Sequence, residues 1–395
     1  MTTIGLRSFA RRASVLALLA APSGLAAQTR AFLVLLGADT VAIERIARSG
    51  ERIEGTLLRH APATSVLRYA ITLNRDGTVA SYEQATLRAD GSPMPNAPTG
   101  QRLTFSADSV TREQTPPSGQ PTSRRTAVPK GTIPAIGAAG SSWQFYELGV
   151  QQARRDGSGG FNVIGFGAQQ NTAARIEVRA IGADSVELGP PYTFGIRLDR
   201  SGQITRGDGS KTTQKLVATV LRDVEVDAIA AAWAAKDAAG QAIGILSTRD
   251  SVSADIGGAH IVINYGRPAK RGREIWGKLV PFDTTWRLGA NAATQFKTDK
   301  DLDLGGVTVP AGSYTLWLYP TAGASYLIVN KQVVDARGVP LWGTNWDPAQ
   351  DLVRVPLEQH MNLPMSEERF RIFFQGDMLM FHWDQGGYGV RVRVK

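Results

Sequence analysis

Apolar and polar residues alternate with a period of two over most of the chain, in short runs broken by Gly, Asn, Asp and Pro. That pattern predicts antiparallel β-strands. In VLRYAITLNRDGTVASY, Val66, Arg68, Ala70 and Thr72 oppose Leu67, Tyr69, Ile71 and Leu73, and Asp76-Gly77 supplies a hairpin turn. ARIEVRAIGADSVELG repeats the pattern with a turn at Gly182 to Asp184. Further on, TQFKTDKDLDLGGVTVPAGSYTLWLYP reads as strands around a Gly305-Gly306 hairpin, followed by a strong strand from Tyr314 to Tyr319. In that strand Tyr314, Leu316 and Leu318 point one way and Thr315, Trp317 and Tyr319 the other, so both faces are largely apolar and a central, doubly covered strand is expected. RFRIFFQGDMLMFHWDQGGYGVRVRVK adds two or three more strands at the carboxy end.

Two segments change period. SSWQFYELGVQQARRDG predicts a helix, with Ser141 and Gln144 as a capping box, Arg154 and Arg155 in the last turn and Gly157 as the stop. DAIAAAWAAKDAAG predicts a second, with Asp227 as N-cap, an alanine-rich body and Gly240 at its end. TPPSGQPTS, residues 115–123, has the composition of an exposed loop. The expectation is a mostly β protein: a curved, half-barrel-like antiparallel sheet with one or two helices over residues 28–240, then an antiparallel β-sandwich over residues 248–395.

The first residues have a different character. Arg7, Arg11 and Arg12 precede an apolar run from Ala13 to Ala21, a break at Pro22 and small residues up to Ala27, the layout of an export signal cleaved near Ala26 or Ala27. Arg11-Arg12 is not followed by the apolar residue of the twin-arginine signal, which favours the general secretory route into the periplasm or beyond. No later stretch reaches the roughly 18 uninterrupted apolar residues of a membrane helix. The chain has no cysteine, which excludes disulfides, thiolate metal sites and a Cys nucleophile. Without the signal's three arginines, the 44 basic residues become 41 against 35 acidic ones, a net charge of +6 that is spread along the chain, so nucleic acid is not an expected partner.

Catalytic constellations are absent from the sequence pattern. The histidines at 60, 260, 360 and 382 never stand at ligand spacing from one another, and His382 with Asp384 on one strand face would need a further ligand from elsewhere. Asp299, Asp301 and Asp303 alternate as calcium ligands do, but no bidentate glutamate follows, and a solvated hairpin face is the simpler reading. Neither Ser158 nor Ser210 sits on a nucleophile elbow. No metal and no cofactor are therefore expected.

The candidate site lies in YGRPAKRGREIWGKLVPFDTTWRLGAN, residues 265–291. Arg267, Arg273 and Arg287 offer guanidinium forks for carboxylates or phosphates, Trp276 and Trp286 offer flat apolar surfaces, and Asn291 suits a turn with positive φ. Tyr265, Asp283 and Thr294 complete the set of candidate binding residues. The bland alternative is that Arg287 is buried against Asp283 or strand-end carbonyls and fixes the loop.

Residues 250–395 resemble the bacterial family catalogued as domain of unknown function 2911. The resemblance is carried by Tyr265-x-Arg267-Pro268, Gly272-Arg273-x-Ile275-x-Gly277, Leu279-Val280-Pro281, Trp286-Arg287-x-Gly289-Ala290-Asn291-x-Ala293-Thr294 and Pro310-Ala311-Gly312-x-Tyr314-x-Leu316. It implies a secreted or periplasmic all-β domain without an established activity; Gly266 stands where that family's pattern has serine. The amino-terminal half is similar, in pattern only, to the half-barrel folds of periplasmic lipid and lipoprotein carriers. The function expected from all of this is non-catalytic binding, in the cell envelope, of a small anionic or amphiphilic molecule, a glycan or an envelope partner. An envelope hydrolase and a periplasmic carrier of hydrophobic ligands are the alternatives.

Overall fold

The computed structural model describes residues 28–117, 119–137, 140–166, 172–189, 193–212 and 214–395. The expected export signal lies outside them. Two large sheets account for most of the chain, as the alternating pattern requires.

The first sheet has 15 strands. Eight run as a meander: β1 (Gln28–Leu36), β2 (Asp39–Ser49), β3 (Arg52–Arg59), β4 (Ser65–Leu73), β5 (Val79–Leu87), β6 (Gly100–Phe105), β7 (Ser109–Thr115) and β8 (Thr122–Ala127). After β9 (Ile133–Pro134) and helix α1 (Gln144–Asp156), the chain returns through β10 (Gly160–Ile164), β11 (Ala174–Ala180), β12 (Ser185–Gly189), β13 (Phe194–Leu198), β14 (Ile204–Asp208) and β15 (Val217–Leu221), which pairs with β1. The sheet curves around α1, whose Phe145, Tyr146, Leu148 and Val150 join the buried cluster containing Phe32, Leu57, Leu67, Ile71 and Phe194. Helix α2 (Val226–Ala238) covers the opposite face, where Ala230 and Trp233 meet Ile43, Leu58 and Val66. His60 stacks on Trp233 at 4.1 Å between ring centres.

Both helices exist as the pattern predicts, but their amino ends differ from it. The residue preceding α1 is Trp143, and no side chain at that position caps the helix. Instead Glu44, fully buried on β2, accepts hydrogen bonds from the Trp143 N–H at 2.7 Å and the Gln144 N–H at 3.1 Å. Its carboxylate also accepts from the Ser142 hydroxyl at 2.5 Å and the Tyr69 hydroxyl at 2.8 Å. A carboxylate at a helix amino end is favoured by the orphan N–H groups and the macrodipole. For α2 the N-cap is Glu225, and Asp227 falls in the first turn, where it pairs with Arg68. Gly157 ends α1 in the left-handed conformation at φ 60°, as expected.

The second sheet has 11 strands. They are β16 (Ser247–Ile256), β17 (Ala259–Pro268), β18 (Thr294–Thr298), β19 (Leu302–Leu304), β20 (Val307–Val309), β21 (Gly312–Tyr319), β22 (Ser325–Asn330), β23 (Asp351–Met361), β24 (Glu367–Gln375), β25 (Met378–Asp384) and β26 (Gly386–Val394). Pairing runs β16-β17-β18-β21-β22-β23-β26, with β25 and β24 continuing from β26. Strand β24 comes back against β17: Ala269 bridges Arg369, and the Lys270 N–H donates to the Glu368 carbonyl at 2.7 Å. The sandwich is thus a nearly closed barrel. Strand β21 is central and buried on both faces, as its sequence predicts; Leu316 and Leu318 enter the barrel core while Trp317 packs outside it with Ala293, Ile328 and Leu341.

The two lobes meet at the β1–β2 turn. The Ala38 N–H donates to the Arg271 carbonyl at 3.0 Å, and Arg271 forms an ion pair with Asp39. Gly37 has φ 63°, and a Cβ there would lie 2.3 Å from the Arg271 oxygen, so backbone approaches backbone in a way only glycine allows. The connecting segment leans on the first lobe, with Ile243 and Leu246 against its core and the Gly244 N–H on the Pro62 carbonyl.

Glu44→Ala would strand two helix N–H groups and two hydroxyls in the core and is expected to cost about 3–5 kcal/mol. Tyr69→Phe removes a single donor and should cost only about 1 kcal/mol. Urea unfolding of both variants checks the ranking; equal losses would show that Glu44 does not organise α1.

Candidate functional site

The candidate segment is a long irregular crossing from β17 to β18, held by backbone at several points. The Trp286 N–H donates to the Leu318 carbonyl at 2.7 Å and the Leu318 N–H returns to Trp286 at 2.8 Å. The Thr294 hydroxyl donates to the Leu288 carbonyl at 2.6 Å, and the Gly343 N–H to the Asn291 carbonyl at 2.9 Å. Asn291 adopts φ 63°, the conformation its type favours, and Asp283 and Leu288 are also left-handed at φ 57° and 49°. Gly266 leaves no space for a serine: a Cβ there would fall 2.0 Å from the Ala290 oxygen, because the loop crosses β17 at that residue.

The candidate residues separate into two groups. Tyr265 is a closure residue of the barrel. Its hydroxyl accepts from the Ile372 N–H of β24 at 3.1 Å and donates to Asp250 at 3.3 Å, while Arg267 pairs with the same carboxylate at 3.4 Å. Trp276 donates its ring N–H to the Trp383 carbonyl at 3.0 Å and meets Tyr388 edge to face. Thr294 is fully buried, and Asp283 is an exposed turn residue whose N–H donates to the Pro320 carbonyl at 2.8 Å. None of these five lines the cavity described next.

Arg273, Trp286, Arg287 and Asn291 do converge, on a cavity of about 700 Å³ between the two lobes. From the first lobe it is walled by Val34, Leu36, Val41 and Leu216, and from the second by Leu279, Trp286, Trp317, Trp346 and Trp383. Its charged lining consists of Arg59, Lys215, Arg273 and Arg287, and among the described residues no Asp or Glu lines it. Sequence reading missed Arg59 and Lys215, which belong to the other lobe.

Arg287 is the most exceptional of these groups. Burial with no carboxylate beside it pushes its guanidinium down to about 10, so it remains cationic at neutral pH. Of the structural alternatives, pairing with Asp283 is not formed, and among the described residues Nε is buried with no hydrogen-bond partner. Its position is fixed by Gly343, where a Cβ would fall 1.9 Å from Arg287 Cδ. Burial also lowers Lys215, with Arg287 and Arg273 adding repulsion, although its ammonium donates to the Ser210 carbonyl at 2.6 Å. Lys215 sits at φ 58°, a left-handed position that is uncommon for a lysine. Arg59 is likewise lowered by burial, and its Nε and the Gln214 Oε1 in the same wall are buried without partners among the described residues. Arg273 is anchored through carbonyls, donating to Lys270 at 2.9 Å and Ala269 at 2.5 Å.

The alternating aspartates each hold a separate backbone N–H: Asp299 that of His260, Asp301 that of Ala311 and Asp303 that of Gly306. Asp384, considered as a co-ligand of His382, is bound instead to Lys270 and Ser366.

Residues 247–392 match the family described as Protein of unknown function (DUF2911). The barrel with its cavity-facing loop is therefore the part of the chain that the family describes, as the motif resemblance implies. No curated protein matches the chain. The match leaves the first lobe, and with it Arg59 and Lys215, outside the family segment.

Tyr265→Phe should leave the Ile372 N–H unpaired inside the barrel seam and lower stability by about 1–3 kcal/mol without altering the cavity lining. Denaturant unfolding monitored by tryptophan fluorescence tests this. An unchanged midpoint would remove the closure role assigned to Tyr265.

Proposed function

We propose that the chain is a non-catalytic binding protein for a small anionic amphiphile, held in the cavity between the lobes. The observation that carries this reading is the lining: Arg59, Lys215, Arg273 and Arg287 without an opposing carboxylate, set beside Trp286, Trp346, Trp383 and aliphatic walls. Buried cations with no carboxylate beside them are costly, and an anionic ligand is the counter-charge that offsets them. Guanidinium groups grip carboxylate or phosphate oxygens two at a time, while the apolar walls receive a hydrocarbon or ring body. About 700 Å³ is within the range of small-molecule sites.

A hydrolase reading has less support. Ser141, Ser247, Thr284 and Thr285 line the cavity, but among the described residues no His, Asp or Glu stands with them as a base. Lys215 is the remaining basic group, and it is engaged as a donor to Ser210. The carrier reading shares the ligand class but needs an empty half-barrel, whereas α1 and its aromatic residues fill the concave face. We further propose that the protein works in the cell envelope after export; Arg7, Arg11 and Arg12 ahead of the Ala13 to Ala21 run support that address.

The deciding experiment is calorimetric titration of the protein with dodecyl phosphate and, as a neutral comparison, dodecyl maltoside below their micelle concentrations. Dodecyl phosphate should bind, and Arg287→Met should weaken it by roughly 10- to 100-fold, the equivalent of about 1.5–3 kcal/mol for a charged hydrogen bond. Equal binding of the neutral probe, or no effect of the substitution in a folded variant, would refute the reading.

A further inference from the structure

A second constellation lies on the outer face of the barrel, away from the cavity. His360 on β23 and His382 on β25 both stand opposite Gly387 of β26, so the three form one row across the sheet with their side-chain positions on one face. In the next row on that face Met380 stands opposite Gly389. The alternate residues Phe381, Trp383, Tyr388 and Val390 point into the barrel core.

The two glycines make a floor over which the His382 ring, the His360 ring and the Met380 thioether lie. A Cβ on Gly387 would fall 2.4 Å from His382 Cδ2. One on Gly389 would fall 2.9 Å from Met380 Sδ and 3.2 Å from His360 Nε2. The imidazole ring centres are 6.5 Å apart. With metal–nitrogen bonds of about 2.0 Å, two imidazoles on one ion in a near-linear arrangement have ring centres about 6 Å apart, so closing on an ion needs a shift of about half an ångström. Both Nε2 atoms are buried and, among the described residues, have no hydrogen-bond partner. Packing accounts for the ring positions, since Phe373 meets His382 edge to face at 5.0 Å, but it gives neither nitrogen a partner.

The donor set selects the ion. No group of three or more His, Cys, Asp or Glu is placed to hold a metal among the described residues, which argues against the nitrogen and oxygen sets of zinc and calcium. Two imidazoles with a thioether form a soft set, and soft donors favour monovalent copper. We propose that His360, His382 and Met380 form a binding site for a Cu(I) ion on the outer face of the second lobe. This site is independent of the cavity and of its ligand.

Anaerobic titration of the metal-free full chain against the coloured Cu(I) complex of bicinchoninate tests the proposal. The wild-type protein should withdraw one equivalent of Cu(I) per chain. His360→Gln and Met380→Leu should each weaken that binding at least tenfold while leaving dodecyl phosphate binding unchanged. His360 is half-buried, so its variant decides the matter if Met380→Leu fails to fold. The proposal is overturned if the wild type leaves the copper with the chelator, if a folded variant binds copper as tightly as the wild type, or if equimolar Zn(II) displaces the copper.

Discussion

The junction of the lobes depends on how its carboxylates are used. Asp39 is committed to Arg271, whose side chain in that pair is 8% exposed, and Asp250 serves Tyr265 and Arg267. Asp384 holds Lys270, and Glu368 accepts the Arg271 N–H at 2.9 Å. Surface ion pairs contribute little as a rule, but the Asp39–Arg271 pair is buried on one side and braced by the Ala38 hydrogen bond and the Gly37 approach. These four acids thus fix one lobe or join the two. The cavity lining itself carries Arg59, Lys215, Arg273 and Arg287 and, among the described residues, no carboxylate.

A protein keeps such groups only against a desolvation cost. Arg287 is lowered to about 10 by burial alone, Lys215 is lowered by burial and by its arginine neighbours, and Arg59 is lowered by burial as well. Elsewhere in the molecule buried charge is handled differently. Glu44 sits fully buried, with its acidity weakened by desolvation, yet it is surrounded by donors from Ser142, Trp143, Tyr69 and Gln144. Glu147, raised by burial, still meets Arg30 and the Ile204 N–H. The carboxylates of the core are met by several donors each, whereas the cations around the cavity have, among the described residues, backbone carbonyls at most and no carboxylate in the lining.

Strands are legible where residues alternate or where a run bounded by turn residues is apolar on both faces. The β4–β5 hairpin, the Gly305-Gly306 turn and the doubly buried β21 follow directly from residue alternation. Strand β1 was not anticipated, because its run from Ala31 to Leu36 follows the apolar signal-like segment and lacks alternation, being central and covered on both faces. Glu44 looks like an ordinary polar position in VAIERIAR; only the burial of Val41, Ala42, Ile43 and Ile46 around it reveals a strand with no wet face. Half of the site was legible for a related reason. Arg273, Trp286, Arg287 and Asn291 are dense within one segment, whereas Arg59 and Lys215 come from positions more than 50 residues away in the other lobe, and no local pattern carries that distance.

The geometry of the first lobe also constrains what the protein can hold. A curved antiparallel sheet offers a concave face large enough for a lipid, and here α1 and the Trp143 before it occupy it, with Trp143 edge-on and Tyr146 tilted against Phe194. Glu44 fixes α1 by its amino end, and the Glu147–Arg30 pair fixes it to β1, so withdrawing the helix would expose two carboxylates and an aromatic core together. What the sheet leaves available is its rim, where Val34, Leu36, Val41 and Leu216 open toward the second lobe. That rim and the cations Arg287 and Lys215 thus line one cavity. Both lobes are needed to complete that environment, because neither carries the apolar rim, the tryptophans and the full set of cations by itself.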